Sequence, residues 1–350
     1  MNSFIKTMAP GWFASVMGTA VSSLALTLLA QRFPTSPLAM FGADFFHWSA
    51  ICLMVCLTVP AILRILFYPK AVLQTLRHPV EGSFYATFPI ALLVMAGQWT
   101  VRGMPVEAIA TLWWTGTICT FLISYIVLFN LFSGEALKPG MVTPAHFIPA
   151  VGLVVIPVAG ASLAGAASGL MREVYFGINM LGFGAGSFMY LGLVALTMQR
   201  HFLGTPIEGK MTPTLLVHLA PLGVIPLSLL SLLHAAGDAS AMHYGTLVAS
   251  GFLGAGLWWF VLAFALTIRN ASTGRLPFAL SWWAFVFPIG AITVLSLRLS
   301  TLMNLSLLPY VASVLAAILS AIWLAAAIGT VRGLVSGSIF VPHEPSHKPV

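Results

Sequence analysis

The chain has 350 residues, of which 59% are hydrophobic and only 7% charged, with a formal net charge of +7. Its mean hydropathy of +0.99 rules out a soluble domain, whose surface needs roughly 25% charged residues. Nucleic acid is not indicated as a partner either, because in a polytopic membrane protein such positive charge belongs to the loop residues that set topology.

Ten apolar segments follow one another at 9–30, 46–68, 83–101, 107–132, 144–165, 173–199, 212–235, 243–268, 278–298 and 309–332. Each is near the ~20 residues a bilayer requires. The first carries Gly18, Thr19 and Ser22. It is too long for a signal peptide and no small-residue cleavage site follows it, so it reads as retained. The second begins near His47, an interface position, and holds Pro60 towards its end. Arg77-His78-Pro79 predicts a turn into the third, which carries Pro89. Cys52, Cys56 and Cys119 all lie in apolar stretches and read as small buried residues, not as disulfides or metal ligands.

The fifth segment opens at His146 and contains Pro149, Gly152 and Pro157. In the sixth, Gly182-Phe183-Gly184-Ala185-Gly186 lies inside an apolar helix and predicts close helix packing, not phosphate binding. The seventh holds His218, three residues before Pro221, and then Pro226. The eighth starts at His243, again an interface position. The ninth reads Ser281-Trp282-Trp283-Ala284-Phe285-Val286-Phe287-Pro288, followed by Thr293 and Arg298. Residues 333–350 are polar and predict a short disordered cytoplasmic tail, leaving 1–332 as one transmembrane domain.

The helix breakers fall in alternate segments. Gly18, Pro89, Pro149, Pro221 and Pro288 mark the odd-numbered ones, within similar strings such as Phe88-Pro89-Ile90 and Phe287-Pro288-Ile289. A proline within a membrane helix removes a backbone hydrogen bond and bends the helix. In lipid this is tolerated only where protein or water satisfies the freed carbonyl. The pattern predicts an all-α fold of five parallel helical hairpins, with a kinked inner ring around a pore and straighter helices outside. Gly18, Thr19, Ser22, Gly152 and Thr293 are the weakly polar groups expected to line it.

Orientation follows from the basic residues. Eleven of the 15 Lys and Arg lie at the N-terminus, in the loops after even segments or in the tail. Arg32, Arg102, Arg172 and Arg298 lie on the other side, which predicts cytoplasmic termini. The acidic residues Asp44, Glu81, Glu107, Glu135, Glu173, Glu208, Asp238 and Glu344 all fall at or near segment ends. Intramembrane carboxylates mark cation sites and proton relays, so their absence argues for an anion or passive pathway. Arg298 is a candidate anion-contacting mouth charge, and His218 and His146 are candidate titrating groups. No HxxEH, CxxC, GxSxG or P-loop pattern supports an enzyme, a metal centre or a cofactor.

Pro10-Gly11-Trp12-Phe13 with Met17-Gly18-Thr19, then His78-Pro79, then Trp283-Ala284-Phe285-Val286-Phe287-Pro288, resemble in order and spacing the tellurite-resistance/dicarboxylate transporter family. That family includes TehA-like proteins, fungal malate and sulfite transporters and plant guard-cell slow anion channels. The similarity runs from Pro10 to about Arg332, and the Met-Gly-Thr and Phe-Pro strings are closer to the malate and sulfite branch. The resemblance implies homotrimers with a pore in each protomer, blocked by a phenylalanine of the ninth span. Phe287 matches the second Phe of the family's Trp-Ala-Phe-x-Phe pattern, although Pro288 follows it where TehA-like members carry Gly. It also implies transport of small inorganic or carboxylate anions across the plasma (inner) membrane. The alternative is a proton-coupled carrier of a C4-dicarboxylate or sulfite.

Overall fold

The computed structural model describes residues 2–134, 139–207 and 209–340. Glu135, Lys138, Glu208, Glu344, Lys348 and the tail positions 341–350 lie outside the described residues. Among the described residues, ten helices are long and apolar enough to cross a membrane. We label them α1 (Phe13–Arg32), α2 (Pro37–Phe67), α3 (Thr87–Val101), α4 (Val106–Ser133) and α5 (Phe147–Ala166). They continue as α6 (Gly169–Leu203), α7 (Leu219–Ala236), α8 (Ala239–Ser272), α9 (Val286–Leu302) and α10 (Leu308–Ser336). The last helix runs past Arg332 to Ser336, so part of the expected tail is helical.

Burial separates the helices into two classes. In the odd spans 67% to 89% of the most apolar stretch is buried inside the protein, against 22% to 28% in the even spans. The odd helices are therefore the inner set. They close a ring, α1 packing on α3, α3 on α5, α5 on α7, α7 on α9, and α9 back on α1. Each even helix packs on its preceding inner helix, and α4, α6, α8 and α10 also touch the next inner one. The outer helices are longer than anticipated. At 35 residues, α6 spans about 52 Å, well beyond the ~30 Å hydrocarbon core.

The breakers mark a change of helix type. Each inner helix is entered through a 3-10 segment: Pro10–Trp12, Glu81–Ala86, Pro144–His146, Gly209–His218 and Leu280–Phe285. Pro89, Pro149, Pro221 and Pro288 are each the third residue of the α-helix that follows. The first four N–H groups of an α-helix have no partner within it, so proline there sacrifices no bond. In α1 the equivalent position belongs to Ser15, not Gly18, and its hydroxyl donates to the Trp12 carbonyl at 2.7 Å. Pro60, Pro157 and Pro226 do sit within α-helices.

Small residues let the ring close. A Cβ on Gly18 would meet Val286 at 2.9 Å, and one on Gly290 would come within 2.5 Å of Val21, so α1 and α9 exchange a valine for a glycine in both directions. The Gly182 and Gly186 pair behaves as the sequence predicts: a Cβ at either would lie within 2.8 Å of an α5 carbonyl, of Leu153 or Ala150. The cysteines do not. Cys52 and Cys56 are exposed on the outer face of α2 and Cys119 is half-buried on α4, because the even helices turn most of their surface outwards.

Candidate functional site

One stripe of side chains from each inner helix lines a central cavity of about 680 Å³. α1 contributes Val21, Leu24 and Leu28, and α3 contributes Val94, Gly97 and Val101. From α5 come Val155, Val158 and Ser162, and from α7 Val224, Leu227 and Ser231. α9 supplies Phe287, Ala291, Val294 and Arg298. Intervals of three and four residues keep each set on one helix face.

A second space, of about 30 Å³, lies on the other side of Phe287. It is lined by residues from the starts of the same helices, among them Ala14, Thr87, Ile148, Ala220 and Pro288. Its volume is that of about one water molecule. In all five inner helices the earlier residues face the small space and the later ones the large cavity, so the five run in the same direction. Phe287 lines both spaces, and its exposure is only 3%. Remaining wall residues border one or the other. Among the described residues, no Asp or Glu lines either space.

The other sequence candidates are placed elsewhere. Thr19 accepts a hydrogen bond from Trp323 Nε1 at 2.8 Å and donates to the Ser15 carbonyl at 2.7 Å, so it faces α10. Gly18 packs on Val286 and Gly152 on Ile90 and Thr120. Ser22 and Thr293 bond back to the Gly18 and Ile289 carbonyls within their own helices. Pro89, Pro149 and Pro221 are buried and border neither space, whereas Pro288 lines the small one. The hydroxyls expected to line the lumen are satisfied by backbone carbonyls or by the outer ring, and a mainly aliphatic wall carries instead the hydroxyls of Thr100, Ser162 and Ser231.

His218 lies behind the wall. Its Nε2 is 3.2 Å from Nε2 of His201 on α6, and its ring packs against Phe147 and Trp259. His146 is buried, with Nδ1 held by the Thr143 carbonyl at 2.9 Å. His47 is not at an interface but buried, 3.0 Å from Gln98 Nε2, and Gln98 in turn donates to Ser23 Oγ at 3.1 Å. Arg298 does reach the large cavity, joined there by Arg172 and His234, which the sequence reading had not placed at the site. Among the described residues, no group of three His, Cys, Asp or Glu is placed to hold a metal ion.

Tryptophans of the outer ring hold the inner ring by polar contacts. Trp113 Nε1 donates to the Ile156 carbonyl at 2.9 Å and Trp259 Nε1 to the Leu215 carbonyl at 2.9 Å. Trp283, from the inner ring, donates outward to Thr330 on α10 at 3.0 Å. In a low-dielectric setting such bonds fix helix rotation, and hence which stripe faces the cavity.

The sequence of this chain is similar to those of several known proteins. An uncharacterized transporter of Methanocaldococcus jannaschii is 32% identical over 339 residues, covering 97% of this chain and 97% of the relative. The sulfite efflux pump SSU1 of Trichophyton rubrum is 26% identical over 329 residues, covering 86% of this chain and 84% of the pump. The S-type anion channel SLAH2 of Arabidopsis thaliana is 24% identical over 264 residues, covering 72% of this chain and 44% of the channel. A family model described as voltage-dependent anion channel matches residues 7–331. With nearly all of the membrane-spanning part so matched, the chain belongs to the voltage-dependent anion channel family.

Proposed function

We propose that this protein is a gated pathway for small anions, with Phe287 as the steric gate. The carrying observation is that Phe287 borders both the large cavity and the small space beyond it. A phenyl ring at that point blocks passage, and the aliphatic wall around it resists wetting. With no carboxylate among the described lining residues, the lumen presents nothing to hold a cation. The names of the relatives, a sulfite efflux pump and an S-type anion channel, support anions as the cargo.

In this reading the protein sits in the plasma (inner) membrane with both termini in the cytoplasm, an orientation that the distribution of Lys and Arg supports. The large cavity then opens outwards, and the 3-10 ends of the inner helices face the cytoplasm. The protomers form a homotrimer, each with its own pathway.

Planar-bilayer recordings on the Phe287→Ala protein test the function. Under a salt gradient the reversal potential is expected to follow the anion equilibrium potential. A reversal at the cation potential overturns the proposal. Cross-linking in membranes that stops at a dimer, or shows no oligomer, removes the trimer.

A second reading is a proton-coupled carrier. It is favoured by the His201–His218 pair, whose Nε2 atoms lie 3.2 Å apart and can hold one proton between them. It predicts that an imposed pH difference drives uptake and that His218→Gln abolishes the drive. Uptake indifferent to the pH difference excludes it.

A further inference from the structure

The five inner helices end in the same direction, so their C-termini surround the far end of the large cavity. A helix C-terminus carries roughly half a negative charge on its unpaired carbonyls. An anion approaching from this end therefore meets five unfavourable dipoles, while the opposite entrance presents the favourable N-terminal ends. A pathway for anions needs compensating positive charge on the C-terminal side and not on the other.

The cavity has that charge. Arg298 projects into it from α9, Arg172 from the first turn of α6, and His234 from the last turn of α7. The three come from separate helices and line the same space. Both arginines are exposed and line the cavity. Among the described residues neither forms an ion pair or a side-chain hydrogen bond, in contrast to Arg102, whose charge is taken up by Asp44. Several carboxylates lie at the same end of the spans, yet among the described residues none lines the cavity. The arginine charges are thus left for a solute, and the low-dielectric wall concentrates their field within the cavity.

The chemistry of the two groups narrows the class of solute. A guanidinium presents paired N–H donors in a planar fork that matches two oxygens sharing a negative charge. A spherical halide uses only one point of that fork. We propose that Arg172 and Arg298, with the His234 ring as a further polar contact, form a capture site for small oxyanions in the large cavity. This rests on the anion-pathway reading and adds to it a preference at the cavity mouth, separate from the block at Phe287.

The test uses the full chain in lipid nanodiscs, titrated calorimetrically with sodium sulfite and, separately, sodium chloride. Sulfite is expected to bind at least about tenfold more tightly than chloride. The Arg172→Gln/Arg298→Gln double variant is expected to lose about tenfold or more of that affinity, as the removal of charge-assisted hydrogen bonds implies. Arg298→Lys, which keeps the charge but not the fork, is expected to weaken sulfite and leave chloride unchanged. Arg332→Gln, an exposed arginine at the end of α10, removes the same charge elsewhere and is expected to bind sulfite as the wild type does. Equal affinity for sulfite and chloride overturns the proposal, as does an unaltered double variant or an equal loss in Arg332→Gln. Failure of the pathway reading looks different: Phe287→Ala vesicles then pass no anion, while sulfite binding still depends on the two arginines.

Discussion

Shortening the side chain at position 287 in steps is the sharpest test of the blocked pathway. Phe287 is 3% exposed and lies between about 680 Å³ of space on one side and about 30 Å³ on the other. For an anion to pass, the ring must leave its site. Displacing a buried phenylalanine costs roughly 1.5–3 kcal/mol in lost burial. At 1.36 kcal/mol per factor of ten, removing that cost raises flux roughly ten- to 150-fold for Phe287→Ala. Phe287→Leu, which retains most of the apolar area, falls between Ala and wild type. Stability should suffer less than the ~3–5 kcal/mol of a Phe→Ala change in a close-packed core, because this ring already borders open space. The assay is anion efflux from proteoliposomes at matched protein density, with thermal unfolding in the same detergent as the control for folding. Equal flux from wild-type, Leu and Ala proteins of equal stability would refute the argument, as would a flux that fails to rise in the order Phe, Leu, Ala.

Other substitutions probe the scaffold and the topology. Gly186→Val places a Cβ 2.7 Å from the Ala150 carbonyl; it should destabilise the protein by about 1–3 kcal/mol, read as a lower unfolding midpoint, and an unchanged midpoint contradicts the packing. Thr19→Val leaves the Trp323 indole N–H without its acceptor and should cost about 1–3 kcal/mol. In a double-mutant cycle, Thr19→Val should cost almost nothing once Trp323 is Phe, and an additive cost would break the assignment. Gln98→Leu removes the link between His47 and Ser23; it should lower stability more than Gln98→Glu, which keeps an oxygen where Gln98 Oε1 lies 3.2 Å from His47 Nδ1, and the reverse order tells against the network. A single cysteine at Lys6, in a background lacking Cys52, Cys56 and Cys119, should resist a membrane-impermeant maleimide added to intact cells and react after lysis. Labelling in intact cells inverts the topology.

The sequence revealed much of the architecture because proline is conspicuous. Pro89, Pro149, Pro221 and Pro288 mark one level of four inner helices, and the fifth was findable only as the odd one out. There Ser15 occupies the register, and a serine carries no such signature, so Gly18 drew attention in its place. The lining of the cavity was hidden for a related reason. In a soluble protein the polar face tells which side is out, but here every face of the inner helices is mostly apolar or weakly polar, Arg298 and His234 standing near their ends. Val94, Leu227 and Val294 therefore look like any other aliphatic residue until the neighbouring helices are in place. Conversely, Thr19, Ser22 and Thr293 attracted notice as polar, yet their hydroxyls serve helix carbonyls or Trp323. Arg172 could be assigned to a side of the membrane by counting charges, but only the packing of α6 beside α5 and α7 brings it to the cavity.

The contact of α9 with α1 also sets an order for biogenesis. Helices enter the membrane from the N-terminal end of the chain, so α1, α3, α5 and α7 can assemble while the wall still has a gap. The helix that fills the gap is the one carrying Phe287 as its second residue. In the proposed reading, the wall and its Phe287 gate are therefore completed in a single insertion event. A nascent chain released before α9 offers an open-sided arc facing lipid and other helices; with Phe287 as the proposed gate, a chain that includes α9 carries its own block, and no stage of synthesis yields a complete but unguarded conduit.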